Sequence, residues 1–155
     1  MNIQNPSSRF QIRTVPHDSP EYWQAVELRR RILRQPLGLD FTRDELAAEK
    51  VETHIVALDG PKVIGCLVMV PKESAVVKMR QVAVEPEQRG RGIGAEMVRY
   101  SEVWAWTKGF RRIELSAREP AVDFYKRMGY RVEGEPFEEV TIPHRRMSKE
   151  RTEGK

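Results

Sequence analysis

The sequence predicts an α/β fold, a mixed, mostly antiparallel sheet of about seven strands with helices on both faces. Three strand-like runs follow one another in the middle of the chain with only short turns between them, which is typical of an antiparallel meander. The third run leads into a glycine-rich turn, then a long amphipathic helix, then another strand. With 155 residues, the chain has the length of one domain, and we expect a single domain over residues 1–155.

The chain begins with a strand and two helices. Alternating apolar and polar residues predict the strand. The first helix is predicted by apolar residues at helical spacing behind the capping residue Ser19, and the second by the capping residue Thr42 with Asp44 and Glu45 in the first turn. The expected bounds are 9–15 for the strand, 20–34 for the first helix and 42–50 for the second.

The meander comes next. Its middle run is almost wholly apolar, which predicts a central strand covered on both faces. Asp59-Gly60 is a hairpin signal, and Pro71–Ser74 supplies the second turn. The expected bounds of the three strands are 54–58, 62–70 and 75–84.

The second half alternates helices with extended segments. Apolar residues at helical spacing predict a long helix that ends at Gly109, and Gly129 closes a shorter helix that opens at Pro120. The expected bounds are 93–109 and 120–129 for the helices, and 112–116, 131–133 and 138–147 for the extended segments.

Composition and charge narrow the function classes. Apolar residues make up 39% of the chain and charged residues 32%, which excludes collagen-like repeats and wholesale disorder. The polar ends, residues 1–8 and 148–155, carry no periodic apolar pattern, so we expect both to be flexible. The net charge of +4 permits binding to phosphates, but basic and acidic residues are interleaved, so a mixed solvated surface is favoured and no nucleic-acid partner is expected.

The cysteine and histidine content points away from disulfides and metals. The single cysteine, Cys66, excludes an intrachain disulfide and a cysteine-rich zinc site, and the three histidines are too scattered to predict a metal site. No stretch approaches the roughly 18–20 uninterrupted apolar residues that cross a bilayer, and the first ten residues lack the apolar centre of a signal peptide. We expect a cytoplasmic protein with no metal and no membrane partner.

Three glycines at alternate positions, Gly90, Gly92 and Gly94, precede the long helix. They allow a tight turn whose N–H groups point inward where the helix begins, and Arg89 and Arg91 add positive charge. A phosphate or pyrophosphate is the expected ligand of this cradle. The chain lacks the Gly-Lys-Ser/Thr of a P-loop, and the meander before the loop ranks a dinucleotide-binding fold second.

The whole arrangement resembles the GNAT superfamily of acetyl-CoA-dependent N-acetyltransferases. In that family a strand ending like Val82-Ala83-Val84 leads into Arg/Gln-x-x-Gly-x-Gly/Ala, which here is Arg89-Gly90-Arg91-Gly92-Ile93-Gly94. Residues 124–130 look like a second family segment, Phe-Tyr-x-x-x-Gly-Phe/Tyr. The resemblance covers residues 9–149, and residues 137–144 are similar to those of the ElaA-like bacterial branch.

The resemblance implies which residues hold acetyl-CoA. The backbone of the 82–84 strand holds the pantetheine arm and faces the thioester oxygen, while the loop N–H groups hold the pyrophosphate. Many relatives place an asparagine after the next strand, whereas this chain has Ser116–Glu119, so Arg118 becomes a candidate for reaching a phosphate. The expected cofactor-binding residues are Val82, Ala83, Val84, Arg89, Gly90, Arg91, Gly92, Ile93, Gly94, Ala95, Arg118 and Tyr125.

Tyr125 lies at the family position of the general acid that protonates the departing thiolate, although helical spacing alone would favour a core tyrosine. Glu139 and His144, on the last strand beside the acceptor site, are the candidates for the general base. Their ordinary interpretations are a surface carboxylate and a structural histidine. Arg80 and Gln81 are candidates to line the acceptor pocket, and the Glu138-Glu139 pair predicts an acidic rim that would attract a cationic amine.

The implied function is direct transfer of the acetyl group of acetyl-CoA to a primary amine of a small molecule or protein. Direct transfer is preferred because Cys66 fits a buried core residue better than an acetyl-carrying nucleophile. Two other functions compete with it, namely a regulatory module that binds acetyl-CoA without turnover and a basic nucleic-acid-binding domain. Because relatives often pair, a homodimer is a further expectation.

Overall fold

The computed structural model describes Ile3–Gln4 and residues 10–152. Within these residues the strands form one eight-stranded sheet of order β1-β2-β3-β4-β5-β6-β8-β7, in which β5 and β6 are the one parallel pair. The strands are β1 (Ile3–Gln4), β2 (Gln11–Val15), β3 (Thr53–Asp59), β4 (Lys62–Pro71), β5 (Val76–Val84), β6 (Arg112–Arg118), β7 (Arg131–Glu139) and β8 (Ile142–Glu150). The α-helices are α1 (Pro20–Arg29), α2 (Arg43–Ala48), α3 (Ile93–Thr107) and α4 (Val122–Arg127).

The helices begin where the capping residues predict. The Ser19 hydroxyl accepts the Tyr22 N–H at the start of α1, and Thr42 forms a reciprocal capping box with Glu45 at the start of α2. The predicted 20–34 helix is α-helical only as far as Arg29. Residues 30–34 form a π-helical turn, and residues 35–37 form a 3₁₀ turn. These two turns contribute Leu33, Arg34 and Leu37 to the lining of the site described below.

Two apolar cores lie on opposite faces of the sheet, which confirms that helices cover both faces. On one face, α3 and α4 pack against sheet residues such as Ile55, Met69 and Ile113. On the other face, α1 packs through Ala25 and Leu28 onto a smaller cluster that includes Cys66. The middle strand β4 is buried along nearly its whole length, as its apolar sequence predicts.

The C-terminal part of the chain corrects two predictions. The predicted strand 138–147 is wrong, because Val140 and Thr141 both adopt positive φ and turn the chain between β7 and β8. The predicted flexible end is wrong for Ser148–Glu150, which belong to β8, and Ser148 is fully buried between neighbouring strands. Of the predicted flexible ends, residues 1–2, 5–8 and 153–155 lie outside the described residues.

Candidate active site

The two parallel strands β5 and β6 diverge after a short paired stretch. Their register runs only from Val76–Lys78 to Arg112–Glu114, although β5 continues to Val84 and β6 to Arg118. The backbone therefore opens a gap in the middle of the sheet, next to the N-terminus of α3.

A bulge at Gln81 sets which side chains face the gap. Gln81 has φ 58°, and between Cys66 and Val68 of β4 the opposing strand carries one extra residue. As a result Met79 before the bulge and Val82 after it pack on the same face as α3, although alternation would separate them. The residues on either side of Met79, Lys78 and Arg80, have their side chains on the opposite face by alternation, toward the α1 side.

A cavity of ≈ 350 Å³ lies in this gap and is lined from both faces of the sheet. Residues packed on the α3 face contribute apolar lining together with Tyr125 of α4. From the α1 side come the 33–39 segment, the polar residues of β5 and β6, and the β7–β8 hairpin. Because its lining comes from both faces, the cavity can bring two reactants together through the sheet.

Tyr125 contributes a phenol to the apolar side of the cavity. Its side chain is buried, and its ring makes edge contacts with Phe124 and Tyr130 at centroid distances of 5.0 and 5.8 Å. Burial raises the pKa of the Tyr125 phenol well above its ordinary value of 10.0. The hydroxyl is therefore protonated throughout the physiological pH range and can act as a proton donor.

His144 and Glu139 meet on the opposite side of the cavity. His144 is buried, and its Nδ1–H donates a hydrogen bond to the Ile142 carbonyl at 2.7 Å. Because a carbonyl only accepts, this bond leaves the lone pair of the neutral ring on Nε2. That nitrogen lies 3.9 Å from Oε2 of Glu139, whose side chain is 52% exposed. The pair thus presents a proton acceptor next to a carboxylate.

The glycine-rich loop lies after β5 and leads directly into α3. Gly90 and Gly92 adopt left-handed φ values of 89° and 78°, and a Cβ built on either would meet nothing within 4 Å. The first bond of α3 joins the Glu96 N–H to the Gly92 carbonyl, and no side chain caps this end. The N–H groups of the first three helical residues, Ile93–Ala95, are those that such an end leaves free for an anion.

The structure brings some predicted residues together and separates others. The cavity is lined by Val82, Arg118, Tyr125, Glu139 and His144, together with the predicted Arg80 and Gln81. Ala83 instead packs into the cluster under α1, and Val84 and the glycine-rich loop lie outside the cavity lining. Glu139 and His144 lie on two strands of a hairpin, not on one strand as predicted.

The charge of the cavity contradicts the predicted acidic rim. Glu138 does not line the cavity, so Glu139 is the one carboxylate among the lining residues. Four cationic side chains line the same space, namely Arg34, Lys78, Arg80 and Arg118. Sequence reasoning singled out Arg80 but missed Lys78, the other basic residue of the mostly apolar β5 run.

Two further findings concern metals and membranes. Over Ile3–Gln4 and residues 10–152, no three His, Cys, Asp or Glu side chains are grouped so that they could hold a metal ion. No helix in the same part of the chain is long and apolar enough to cross a bilayer.

Comparison with known proteins identifies the family. The profile of the Acetyltransferase (GNAT) family matches residues 15–130, which is most of the chain. The uncharacterized N-acetyltransferase YjcF of Bacillus subtilis (strain 168) is 35% identical over 108 residues, which are 69% of this chain and 75% of that protein.

Solved structures share the fold. A putative N-acetyltransferase from Lactobacillus plantarum superposes with a TM-score of 0.81 at 24% identity, over 92% of this chain and 99% of that one. Escherichia coli ElaA superposes with a TM-score of 0.77 at 18% identity, over 91% and 99% of the two chains. A GNAT acetyltransferase from Elizabethkingia anophelis, solved with acetyl-CoA bound, gives 0.72 at 15% identity, over 93% and 99%.

These likenesses confirm the predicted fold, whereas membership of the ElaA-like branch stays a prediction. The family profile spans most of the chain, and the similarity to an N-acetyltransferase sequence extends over more than a hundred residues. The chain therefore belongs to the GNAT family of acetyltransferases.

Proposed function

We propose that the protein transfers the acetyl group of acetyl-CoA directly to a primary amine, with Tyr125 as general acid and His144 as general base. The observation that carries the proposal is the cavity between β5 and β6, which holds a buried phenol on one face of the sheet and a histidine–carboxylate pair on the other. The acetyl thioester supplies an electrophilic carbonyl and a thiol leaving group.

The glycine-rich loop fits the pyrophosphate of coenzyme A. The space beside Gly90 and Gly92 is open, so an anion can approach the backbone there. The start of α3 has no side-chain cap and offers its N–H groups to that anion, and Arg89 and Arg91 add positive charge. Beyond the bulge, Val82 lines the cavity, so the β5 backbone can hold the pantetheine arm between the loop and the gap. Arg118 lines the cavity and donates to the Leu33 carbonyl at 3.4 Å, so we assign it to the acceptor side and not to a phosphate.

The acid and the base act on opposite ends of the reaction. His144 Nε2 takes the proton that the amine loses as it attacks the carbonyl carbon, and the nearby Glu139 carboxylate stabilises the imidazolium that forms. The Tyr125 hydroxyl donates a hydrogen bond to the sulfur as the carbon–sulfur bond breaks. Burial disfavours the phenolate of Tyr125, but it disfavours a thiolate in the same surroundings as well. Because the pKa of both the phenol and the thiol is raised, burial does not by itself prevent proton transfer between them.

The experiment that tests the proposed function is thiol release from acetyl-CoA with a panel of amines, combined with calorimetry of coenzyme A binding. Release that depends on an amine supports the proposal. Coenzyme A binding without release for any amine would favour the regulatory module, whereas affinity for nucleic acid that falls steeply with salt would favour the third function.

Replacing Gly92 with valine should weaken coenzyme A binding at least tenfold. A β-branched residue is strained at φ 78°, and its side chain would enter the space beside the N–H groups of the loop. Loss of one hydrogen bond to a charged phosphate is worth roughly 1.5–3 kcal/mol, which corresponds to a tenfold or larger change in affinity.

Gly60→Val is the matched control for this loop variant. Gly60 also has a left-handed φ of 58° and open space around it, but it lies in the β3–β4 turn. Both variants should lose similar stability, and only Gly92→Val should lose affinity. Equal affinity in the two folded variants would remove the loop from the site.

His144→Gln should lower turnover about a hundredfold, because the variant lacks the group that takes the proton of the attacking amine. Glu139→Gln should cost a few-fold in the parent protein and nothing further in the His144→Gln background, because the carboxylate acts through the imidazole. Glu138→Gln is the matched control, since Glu138 does not line the cavity. Independent, multiplying losses at the two positions would contradict the coupled roles, and unchanged pH–rate profiles would exclude both residues.

A further inference from the structure

The acceptor side of the cavity carries a strong excess of positive charge. Lys78 and Arg80 belong to β5 and Arg118 to β6, and by alternation with the buried Val77, Met79 and Ala117 their side chains all face the α1 side of the sheet. Arg34 reaches the same space from the π-helical turn above it. Glu139 is the one carboxylate that lines this space.

Within residues 10–152, none of these four cations is in an ion pair, although more distant carboxylates act electrostatically on three of them: Asp40 and Glu45 on Arg34, Glu52 on Arg80, and Glu139 and Glu114 on Lys78. Arg118 donates to a backbone carbonyl and Arg34 lies 4.4 Å from the centre of the Phe41 ring. The neighbouring Arg31, by contrast, forms two hydrogen bonds to the Glu85 carboxylate, at 2.8 and 3.1 Å.

The pKa of Lys78 responds to the positive charge around it. Burial lowers the pKa of its ammonium group, and the charges of Arg80 and Lys72 lower it further, while the carboxylates of Glu139 and Glu114 act to raise it. An anion bound between the cations would relieve that repulsion.

The cofactor does not account for these cations. Its pyrophosphate is assigned to the loop at residues 89–95, and no residue of that loop lines the cavity. The cations instead surround the space next to His144, which is the register partner of Arg118 on β8. A group bound there lies on the side from which the amine approaches the base.

We propose that the acceptor is a primary amine that also carries an anionic group, a carboxylate or a phosphate, which Arg80 and Arg118 bind from the two diverging strands. This inference rests on the proposed function. The amine nitrogen forms a bond to the acetyl carbon and gives its proton to His144, the carbon–sulfur bond breaks, and the sulfur leaves with the proton of Tyr125. The anionic group is unchanged and orients the amine.

Matched amines test the charge requirement. 4-Aminobutyrate and 4-aminobutanamide differ in the carboxylate alone, 3-aminopropylphosphonate replaces the carboxylate with a phosphate-like group, and spermidine is a cationic reference. We expect kcat/KM, corrected for the free-base fraction of each amine, to be at least tenfold higher for the anionic acceptors than for the amide. The ratio between the carboxylate and phosphonate arms identifies which anion the site prefers. A preference for the amide or for spermidine would overturn the inference.

Arginine variants locate the effect. Arg80→Gln and Arg118→Gln should each reduce the preference for anionic acceptors about tenfold through KM, and Arg80→Glu should reverse it. Lys108→Gln removes one positive charge at the end of α3, outside the cavity lining, and should leave the preference unchanged. A preference that survives in both arginine variants would contradict the assignment.

A binding measurement separates failure of this inference from failure of the proposed function. Glutarate cannot accept an acetyl group on nitrogen, so its binding by calorimetry reports the anion site without turnover. Binding to the parent protein that is lost in Arg80→Gln supports the anion site even if no amine releases thiol, a result that would overturn the proposed function alone. No glutarate binding to the parent protein would overturn the anion site.

Discussion

Replacing Tyr125 with phenylalanine should lower kcat about a hundredfold or more and leave the affinity for coenzyme A unchanged. The substitution removes one hydroxyl and keeps the ring, so the edge contacts of this ring with Phe124 and Tyr130 remain. What is lost is the proton donor on the apolar side of the cavity. Steady-state turnover and calorimetry with coenzyme A measure the two effects separately.

Tyr130→Phe is the matched control for this prediction. The Tyr130 ring lies 5.8 Å from that of Tyr125, but its hydroxyl donates to Glu102 at 3.0 Å and the residue does not line the cavity. This control should lose about 0.5–1.5 kcal/mol of stability with the hydrogen bond and retain turnover. Equal losses of turnover in the two variants would indicate a packing role for Tyr125, and full activity of Tyr125→Phe would exclude the acid role.

The raised pKa of Tyr125 also has a consequence at alkaline pH. Since burial raises the pKa of the phenol above 10.0, the hydroxyl remains a donor where an exposed tyrosine would ionise. As the pH rises through about 10, turnover at saturating amine should therefore follow the same course in the parent protein and in Tyr125→Phe, with no additional fall in the parent protein. A fall that is present in the parent protein and missing in the variant would contradict the buried, protonated state.

The sequence was sufficient where local chemistry determines structure. Capping residues fixed the starts of α1 and α2, and the hairpin signal at Asp59-Gly60 fixed the β3–β4 turn. The same holds for the loop, because Gly90 and Gly92 adopt the left-handed conformations that their residue type permits at least cost. These features depend on a few neighbouring residues, which a sequence displays directly.

The features missed by sequence reasoning depend on tertiary contacts or on turns without the usual residues. The β7–β8 turn uses Val140 and Thr141 at positive φ, so the segment has the composition of a strand. The bulge at Gln81 likewise carries no glycine or proline, yet it decides that Val82 faces α3 while Arg80 faces the acceptor side. The excess of positive charge in the cavity was not predicted, because the four cationic residues come from β5, β6 and the π-helical turn, which are distant along the chain.

A buried ion pair holds the segment that covers the acceptor side. The Glu49 carboxylate accepts two hydrogen bonds from the Arg29 guanidinium, at 2.8 and 2.9 Å, and one from the Tyr22 hydroxyl at 2.8 Å. All three residues are buried. The bonds join the end of α1 to the turn before β3, on either side of the 33–39 segment that lines the cavity.

Glu49→Leu should lower the free energy of unfolding by about 3–5 kcal/mol, because it leaves the buried Arg29 guanidinium without a compensating charge. The control is the double variant Arg29→Met/Glu49→Leu, which removes both charges and should recover most of the loss. Urea unfolding of the parent protein and the two variants measures the difference. A double variant that is less stable than Glu49→Leu would show that the two side chains stabilise the fold by packing and not by pairing.

The pH dependence of Glu49→Gln tests the same pair with a conservative change. Burial acts to raise the pKa of the Glu49 carboxyl, but the hydrogen bonds and charge of Arg29 and the Tyr22 hydroxyl outweigh it, so the pKa lies below its ordinary value of 4.5. A carboxyl with a lowered pKa in the folded state contributes stability that is complete above the unfolded value and is lost as the pH falls through the folded value. The stability difference between the parent protein and Glu49→Gln should therefore be largest near pH 7 and should narrow below about pH 4.5. A difference that stays constant on acidification would mean that the charge of Glu49 does not contribute to the stability of the segment over the active site.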